Sequence, residues 1–329
     1  MTHTQNTGLS KWASPREIAQ MLLPIGAVLI ALGLHLALPT IYPEDYQPYA
    51  YRLALLIFAG VYVFFLIIAC FSRYVRMKVV RLGALLCALI LALALLDVLT
   101  LKTGILRLPF MPSPDKVLST FSSRTETLVE SFFATMQLLL TGLCIGMLTG
   151  FISGLLMGWS RICNYWFSPL LKIIGPTPSA AWLPIAVVLM PTSRAAGLFL
   201  IALAMWFPLT LMLSSAIKDT DKRLIESARV LGASETYILF NVALPAALPA
   251  IFTGLFMGLS SSFTALIVAE MLGVKAGLGW YITWAQGWGE YGRIFATVGI
   301  FIVIFNILIT ILFKVRDHIM KWQKGLVRW

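Results

Sequence analysis

The groups in this sequence that could do chemistry are few, and their spacing defeats most of what they could do. The three histidines, His3, His35 and His318, are scattered and form neither a metal constellation nor an HExxH helix. Cys70, Cys87, Cys144 and Cys163 make no metal-type spacing and imply no disulfide framework, so they read as packing residues. No Gly-Lys dipeptide occurs, which removes the GxxxxGK(S/T) phosphate loop and ATP binding of that kind; no metal or cofactor of the chain's own is expected. Asp97 and Glu270 fall near the ends of apolar runs and read as wetted helix ends, leaving no mid-run charge for a proton or ion relay. What remains is hydroxyl chemistry: Thr177 and Ser179 among prolines, and Ser260, Ser261, Ser262 and Thr264 within one run. Such hydroxyls could face a polar path, or they could bond backbone carbonyls and only kink their helices.

The elements that must position these groups follow from composition. With 59% hydrophobic and 12% charged residues and a mean hydropathy of +0.88, the sequence is that of an all-α polytopic membrane protein. Eight runs are long enough to span as helices, near residues 18–38, 53–71, 80–100, 132–158, 167–190, 195–217, 246–270 and 294–313. A barrel would need alternating strands, whereas "GALLCALILALALL" is apolar on every face. With both termini placed in the cytoplasm, 16 of the 25 basic residues, among them Lys11, Arg16, Arg73, Lys218, Lys222, Arg223, Arg229, Lys324 and Arg328, fall on the inner side. Eight, including Arg124, fall outside, and Lys172 lies within a run. The net charge of +11 therefore reports topology and a lipid bilayer as partner, and gives no reason to expect nucleic acid. The first run is longer than a cleaved signal core and no small-x-small site follows it, so an uncleaved span is expected.

Organisation changes along the chain. Residues 1–108 read as an N-terminal extension of three plain spans, and residues 109–329 as a core of five. In the fourth run Gly142, Gly146, Gly150, Gly154 and Gly158 recur every four residues, and Gly254 and Gly258 repeat the spacing in the seventh. Such ridges let another backbone approach closely and are expected to serve helix packing. In the fifth run Pro176, Pro178, Pro184 and Pro191 predict a broken helix.

Between the sixth and seventh runs stands a polar cytoplasmic segment, 218–245, which contains ESARVLGASETYILFNVALP. Leu224, Ile225, Ala228, Leu231 and Ile238 predict a short amphipathic helix that stops at Gly232, and a second helical piece follows. The closing Leu244-Pro245 fits the first turn of the next helix. Two short pieces meeting at a glycine suit docking into a groove on another protein.

The segment resembles the EAA loop of the permease subunits of ABC importers: Glu226, Ser227 and Ala228, then Gly232, then Val242, Leu244 and Pro245, with every gap kept. Ser and Val stand where the pattern has Ala and Ile. "MPSPDKVL", "LPAALPAIFTGL" and "GLGWYI" resemble the branch of that family that carries nitrate, sulfonate, taurine and bicarbonate. The resemblance covers about residues 109–320. It implies a type I ABC importer transmembrane domain in a bacterial inner membrane, with no catalysis of its own. By the same resemblance Glu226, Ser227, Ala228, Gly232, Val242, Leu244 and Pro245 couple to an ATPase subunit present in two copies. The other implied partners are a second permease chain, in a homodimer or a heterodimer, with the homodimer favoured, and an extracytoplasmic substrate-binding protein. An ion-coupled secondary transporter is the alternative, and it should show inverted repeats and mid-span charges.

Overall fold

The apolar runs become helices, and polar punctuation sets where each one stops. The computed structural model describes residues 14–41, 49–107, 109–123 and 125–321, and there is no strand among the described residues. His3, Lys11, Arg124, Lys324 and Arg328, counted above, lie outside them. Helix α1 (Pro15–Ala37) begins with a reciprocal capping box: the Ser14 hydroxyl accepts from the Glu17 N–H, and the Ser14 N–H donates to the Glu17 carboxylate. Helix α2 (Ala50–Phe71) follows, then α3 (Arg73–Asp97), which continues through a π turn at Val98–Lys102. Next come the short α4 (Pro114–Ser123) and the long α5 (Thr125–Trp159).

The fifth run breaks where its prolines say it should. Helix α6 (Arg161–Ile174) ends before Pro176 and Pro178; a 3-10 turn at Ser179–Trp182 then leads to α7 (Leu183–Leu189), with Pro184 tolerated in its first turn. The two pieces are bent by 92°, and counting them as one span gives eight among the described residues where there are otherwise seven. The remaining helices are α8 (Ser193–Lys218), α9 (Lys222–Val230), α10 (Glu235–Ile238), α11 (Leu244–Leu272), α12 (Leu278–Gly287) and α13 (Tyr291–Ile319).

Leu244 and Pro245 open α11, with Pro245 in its first turn as the sequence reading expects. What the sequence reading did not contain is the continuity: α10 and a π turn at Leu239–Ala243 lead into α11 without a break, so that Glu235–Leu272 is one apolar helical stretch of 38 residues. The Leu244 N–H reaches back five residues to the Leu239 carbonyl. That wider turn accommodates Pro245, which has no N–H to give and would otherwise crowd the carbonyl four residues back.

The chain forms two compact units, residues 1–125 with 289–296, and residues 126–288 with 297–329. In the first, Ala27, Val28 and Ala31 of α1 pack with Tyr51 and Leu55 of α2 and Ile90 and Ala94 of α3. Leu118 of α4 packs on the same cluster, and the Asp115 carboxylate accepts the Tyr51 N–H at 2.9 Å. The first unit therefore takes in α4 as well as the three spans.

In the second unit α8 is the interior helix. The α5 glycines meet it at its own four-residue interval: Gly142 at Ile201, Gly146 at Met205, Gly150 at Leu209, Gly154 at Leu213 and Gly158 at Ile217. A methyl group on Gly142 would stand 2.6 Å from the Ile201 side chain, so the ridge is what allows the contact. On α11, Gly254 meets Leu209 and Met212, and Gly258 meets Met205, which places α8 between two glycine faces. Polar groups fasten the same seam, with the Ser153 and Thr210 hydroxyls 2.8 Å apart and Thr210 donating to the Gly150 carbonyl.

Candidate functional site

The polar segment folds as two helices hinged at Gly232. Asp221 caps α9, its carboxylate accepting the Arg223 N–H at 2.9 Å. At the other end the Gly232 N–H donates to the Arg229 carbonyl and the Ala233 N–H to the Ala228 carbonyl, at 2.9 and 3.0 Å. This is a Schellman turn, and Gly232 sits at φ +82°, in the left-handed region that favours glycine. Ser234 then caps α10. Arg229 and Glu235 face each other across the turn in a two-pronged ion pair, at 2.8 and 3.1 Å. The hydrogen bond to Glu235, with its charge, raises the Arg229 guanidinium above its ordinary value.

The apolar side chains of α9 are left unburied. No residue of α9 is buried, and Val230 and Leu231 are 87% and 86% exposed. Glu226 borders two surface depressions, one with Arg223, Ser227, Val230 and Leu231, the other with Trp159, Ile225, Arg229 and Glu235. Adjoining exposed apolar side chains around a charged residue are the mark of a contact surface. The sequence-predicted coupling residues are divided by this geometry. Glu226, Ser227, Ala228 and Gly232 belong to the projecting loop, whereas Val242, Leu244 and Pro245 lie on the helical stretch leading into α11. There Leu244 packs on the cluster of Leu209, Leu213 and Ile217.

A second site lies at the bend between α6 and α7. A cavity of about 340 Å³ brings together Thr177 and Ser179 from the bend, Phe207 from α8, and Met257, Ser261 and Thr264 from α11. No charged side chain lines it. Thr177 and Thr264 also reach carbonyls of their own turns, each at 3.4 Å, long enough to leave those bonds weak. Ser260 and Ser262 are not among the lining residues. Ser260 donates to the Phe256 carbonyl, and Ser262 is fully buried and donates across to the Ile201 carbonyl of α8.

Comparison with known proteins bears on both sites. Residues 142–321, more than half of the chain and including the projecting loop, match the family described as binding-protein-dependent transport system inner membrane component. The chain belongs to this family. A probable ABC transporter permease of Brucella melitensis is 31% identical over 119 residues, 36% of this chain and 48% of the relative. The taurine transport system permease TauC of Escherichia coli is 27% identical over 143 residues, 41% of this chain and 52% of TauC. The bicarbonate transport system permease CmpB of Synechococcus elongatus is 30% identical over 105 residues, 32% of this chain and 38% of CmpB. The chain thus spans about half the length of the curated relatives it matches. Among solved structures, an amino acid ABC transporter chain aligns with a TM-score of 0.52 at 18% identity, covering 60% of this chain and 97% of that one. The MetNI methionine ABC transporter gives 0.50 at the same identity and coverage. At that identity the likeness shows the fold, a type I importer transmembrane domain.

Two permease carboxylates are not the wetted helix ends that sequence suggested. Glu270 is 1% exposed. Its Oε1 accepts the Thr135 hydroxyl at 2.7 Å and its Oε2 the Gly279 N–H at 2.8 Å. Asp97, in the first unit, is also 1% exposed and pairs with His35. A carboxylate near the end of an apolar run can face water or fold back onto a neighbour. The signal that distinguishes these outcomes lay in Gly277 and Gly279, where a methyl group would collide with Glu270.

Proposed function

We propose that the chain is the membrane permease subunit of an ATP-driven importer, moving a small solute delivered by an external binding protein. The observation that carries this reading is α9: a projecting amphipathic helix, closed by a Schellman turn at Gly232, with its apolar side chains unburied around Glu226. A groove on a separate ATPase subunit is the partner that such a helix fits, with two permease copies engaging two ATPase subunits. ATP is then held by the partner, and the permease contributes binding and gating. Closure of the ATPase pair would draw the two loops together and swing the spans between inward-open and outward-open states. In this reading the cavity at Thr177, Ser179, Ser261 and Thr264 is part of the solute path. Its hydroxyls can solvate a small polar or anionic solute without holding it by a fixed charge. The names of the taurine and bicarbonate permeases among the relatives favour a small anion such as taurine, another sulfonate, nitrate or bicarbonate.

The buried Asp97 and Glu270 are the observation that would favour an ion-coupled carrier instead. Both oxygens of Glu270 are engaged as hydrogen-bond acceptors, which gives that carboxylate a structural task. Co-expression with a candidate ATPase subunit and purification through a tag on the permease tests the proposal. Glu226→Arg should abolish ATPase co-purification while leaving membrane insertion intact. Normal co-purification from this variant, or solute uptake on an ion gradient without ATP, would sink the coupling assignment.

A further inference from the structure

Helix α12 carries no cap of its own. Its N-cap is Gly277, at φ +113°, which has no side chain to satisfy the first N–H groups of the helix. Two other helices supply the missing acceptors. The Leu278 N–H donates to Thr135 Oγ1 of α5, and the Gly279 N–H to Glu270 Oε2 of α11, both at 2.8 Å. Thr135 in turn donates its hydroxyl proton to Glu270 Oε1 at 2.7 Å, closing a hydrogen-bonded circuit among three helices. Thr135 is 0% and Glu270 1% exposed. A negative carboxylate at a helix N-terminus is also favoured by the helix dipole. Gly277 and Gly279 are required by the same geometry, because a side chain at either would enter the volume of Glu270.

The circuit stands at one end of a long lever. The helical stretch that ends beside Glu270 begins at Glu235, three residues after Gly232, and its 38 residues extend roughly 57 Å at the α-helical rise. One continuous helical stretch, passing through the π turn at Leu239–Ala243, therefore joins the coupling loop to α12. We infer that Glu270 and Thr135 are positioning residues, fastening α12 to the far end of this helix so that α12 follows α5 and α11 when α9 is displaced. The inference rests on the permease reading and adds to it the part that transmits motion to α12. Separating the three helix ends would strand buried donors and a buried carboxylate, so the group moves as one body.

The test uses the purified complex of permease and ATPase in lipid nanodiscs. Gln286→Cys, at an exposed position of α12, supplies the permease with its only cysteine once Cys70, Cys87, Cys144 and Cys163 are serine. Its labelling rate by a membrane-impermeant maleimide is compared without nucleotide and after trapping with ATP and orthovanadate. With Glu270 intact the two rates should differ. Glu270→Gln puts one donor where two acceptors are needed, and Thr135→Val removes the shared hydroxyl. Both should lose the difference while retaining ATP hydrolysis and the ATPase partner, and Thr135→Ser should retain it. The melting temperature of each complex separates loss of transmission from loss of folding. A Glu270→Gln complex that responds to ATP as fully as its parent would overturn the inference alone. A parent permease that co-purifies with no ATPase would overturn the permease reading and this inference with it, whereas a parent complex that hydrolyses ATP yet labels equally in both conditions would overturn the inference alone.

Discussion

His35 Nδ1 lies 2.8 Å from Asp97 Oδ2, with both side chains almost fully buried between α1 and α3. Lys102 closes the same end of the bundle, donating from Nζ to the carbonyls of His35 and Leu38 at 2.7 Å each. Removing one member of a buried pair leaves the other's polarity uncompensated, at a cost of about 3–5 kcal/mol, whereas replacing both with apolar groups is often neutral. Asp97→Ala should therefore lower the melting temperature in detergent more than His35→Leu, because Asp97 also compensates Lys102. The double replacement His35→Leu with Asp97→Leu should recover most of the loss. Equal melting of Asp97→Ala and the parent would show that the pair holds nothing together.

The glycine ridge makes a sharper comparison with a helical glycine elsewhere, since the two differ in what surrounds them. A methyl group on Gly146 would stand 2.6 Å from the Ala202 carbonyl, a backbone atom that cannot rotate away, while nothing lies within 4 Å of one on Gly60. Gly146→Ala should cost about 1–3 kcal/mol through forced separation of α5 and α8. Gly60→Ala should be neutral or stabilising by up to about 1 kcal/mol, through its gain in helix propensity. Thermal unfolding of the two variants side by side measures the difference.

At Gly232 the constraint is conformational. Nothing lies within 4 Å of a methyl group placed there, yet φ is +82°. A valine fits the space but not the backbone, at a penalty of roughly 1–2 kcal/mol, whereas asparagine enters this region more readily. Gly232→Val should weaken ATPase co-purification well beyond Gly232→Asn. If the two bind equally, the turn is not what the partner recognises.

The long-range part of the architecture was legible because the bilayer imposes it: run length gave the spans, and Pro176 and Pro178 the break. Gly232 was legible as a stop because a Schellman turn is local, closed by bonds from residues 232 and 233 to 229 and 228. Glu270 was not legible, because its partners, Thr135 and Gly279, sit 135 and nine residues away. Position along a run says how deep a carboxylate lies and nothing about which helix it faces. Pro245 was legible as a first-turn proline of α11, whereas the π turn that joins α10 to it was not, because the local pattern does not show whether the preceding residues are helical. The grouping of Thr177 and Ser179 with Ser261 and Thr264 required the 92° bend, an angle that proline content does not specify.

Arg229 and Glu235 offer a test that separates loop geometry from direct contact with a partner. They stand on opposite sides of Gly232, joined through two hydrogen bonds while 52% and 57% exposed. If the pair acts by fixing the angle between α9 and α10, Arg229→Glu and Glu235→Arg should each weaken ATPase binding by setting like charges against each other. Exchanging the two residues in one chain restores the attraction with its direction reversed, so the double variant should bind nearly as well as the parent. A role in which either charge contacts the ATPase itself predicts the opposite, because the exchange would present two wrong charges to an unchanged surface. Salt supplies the second axis: at a Debye length of about 8 Å near physiological ionic strength, screening blunts exposed charges. The defects of the single variants should therefore shrink as salt is raised, and the exchanged chain should track the parent throughout.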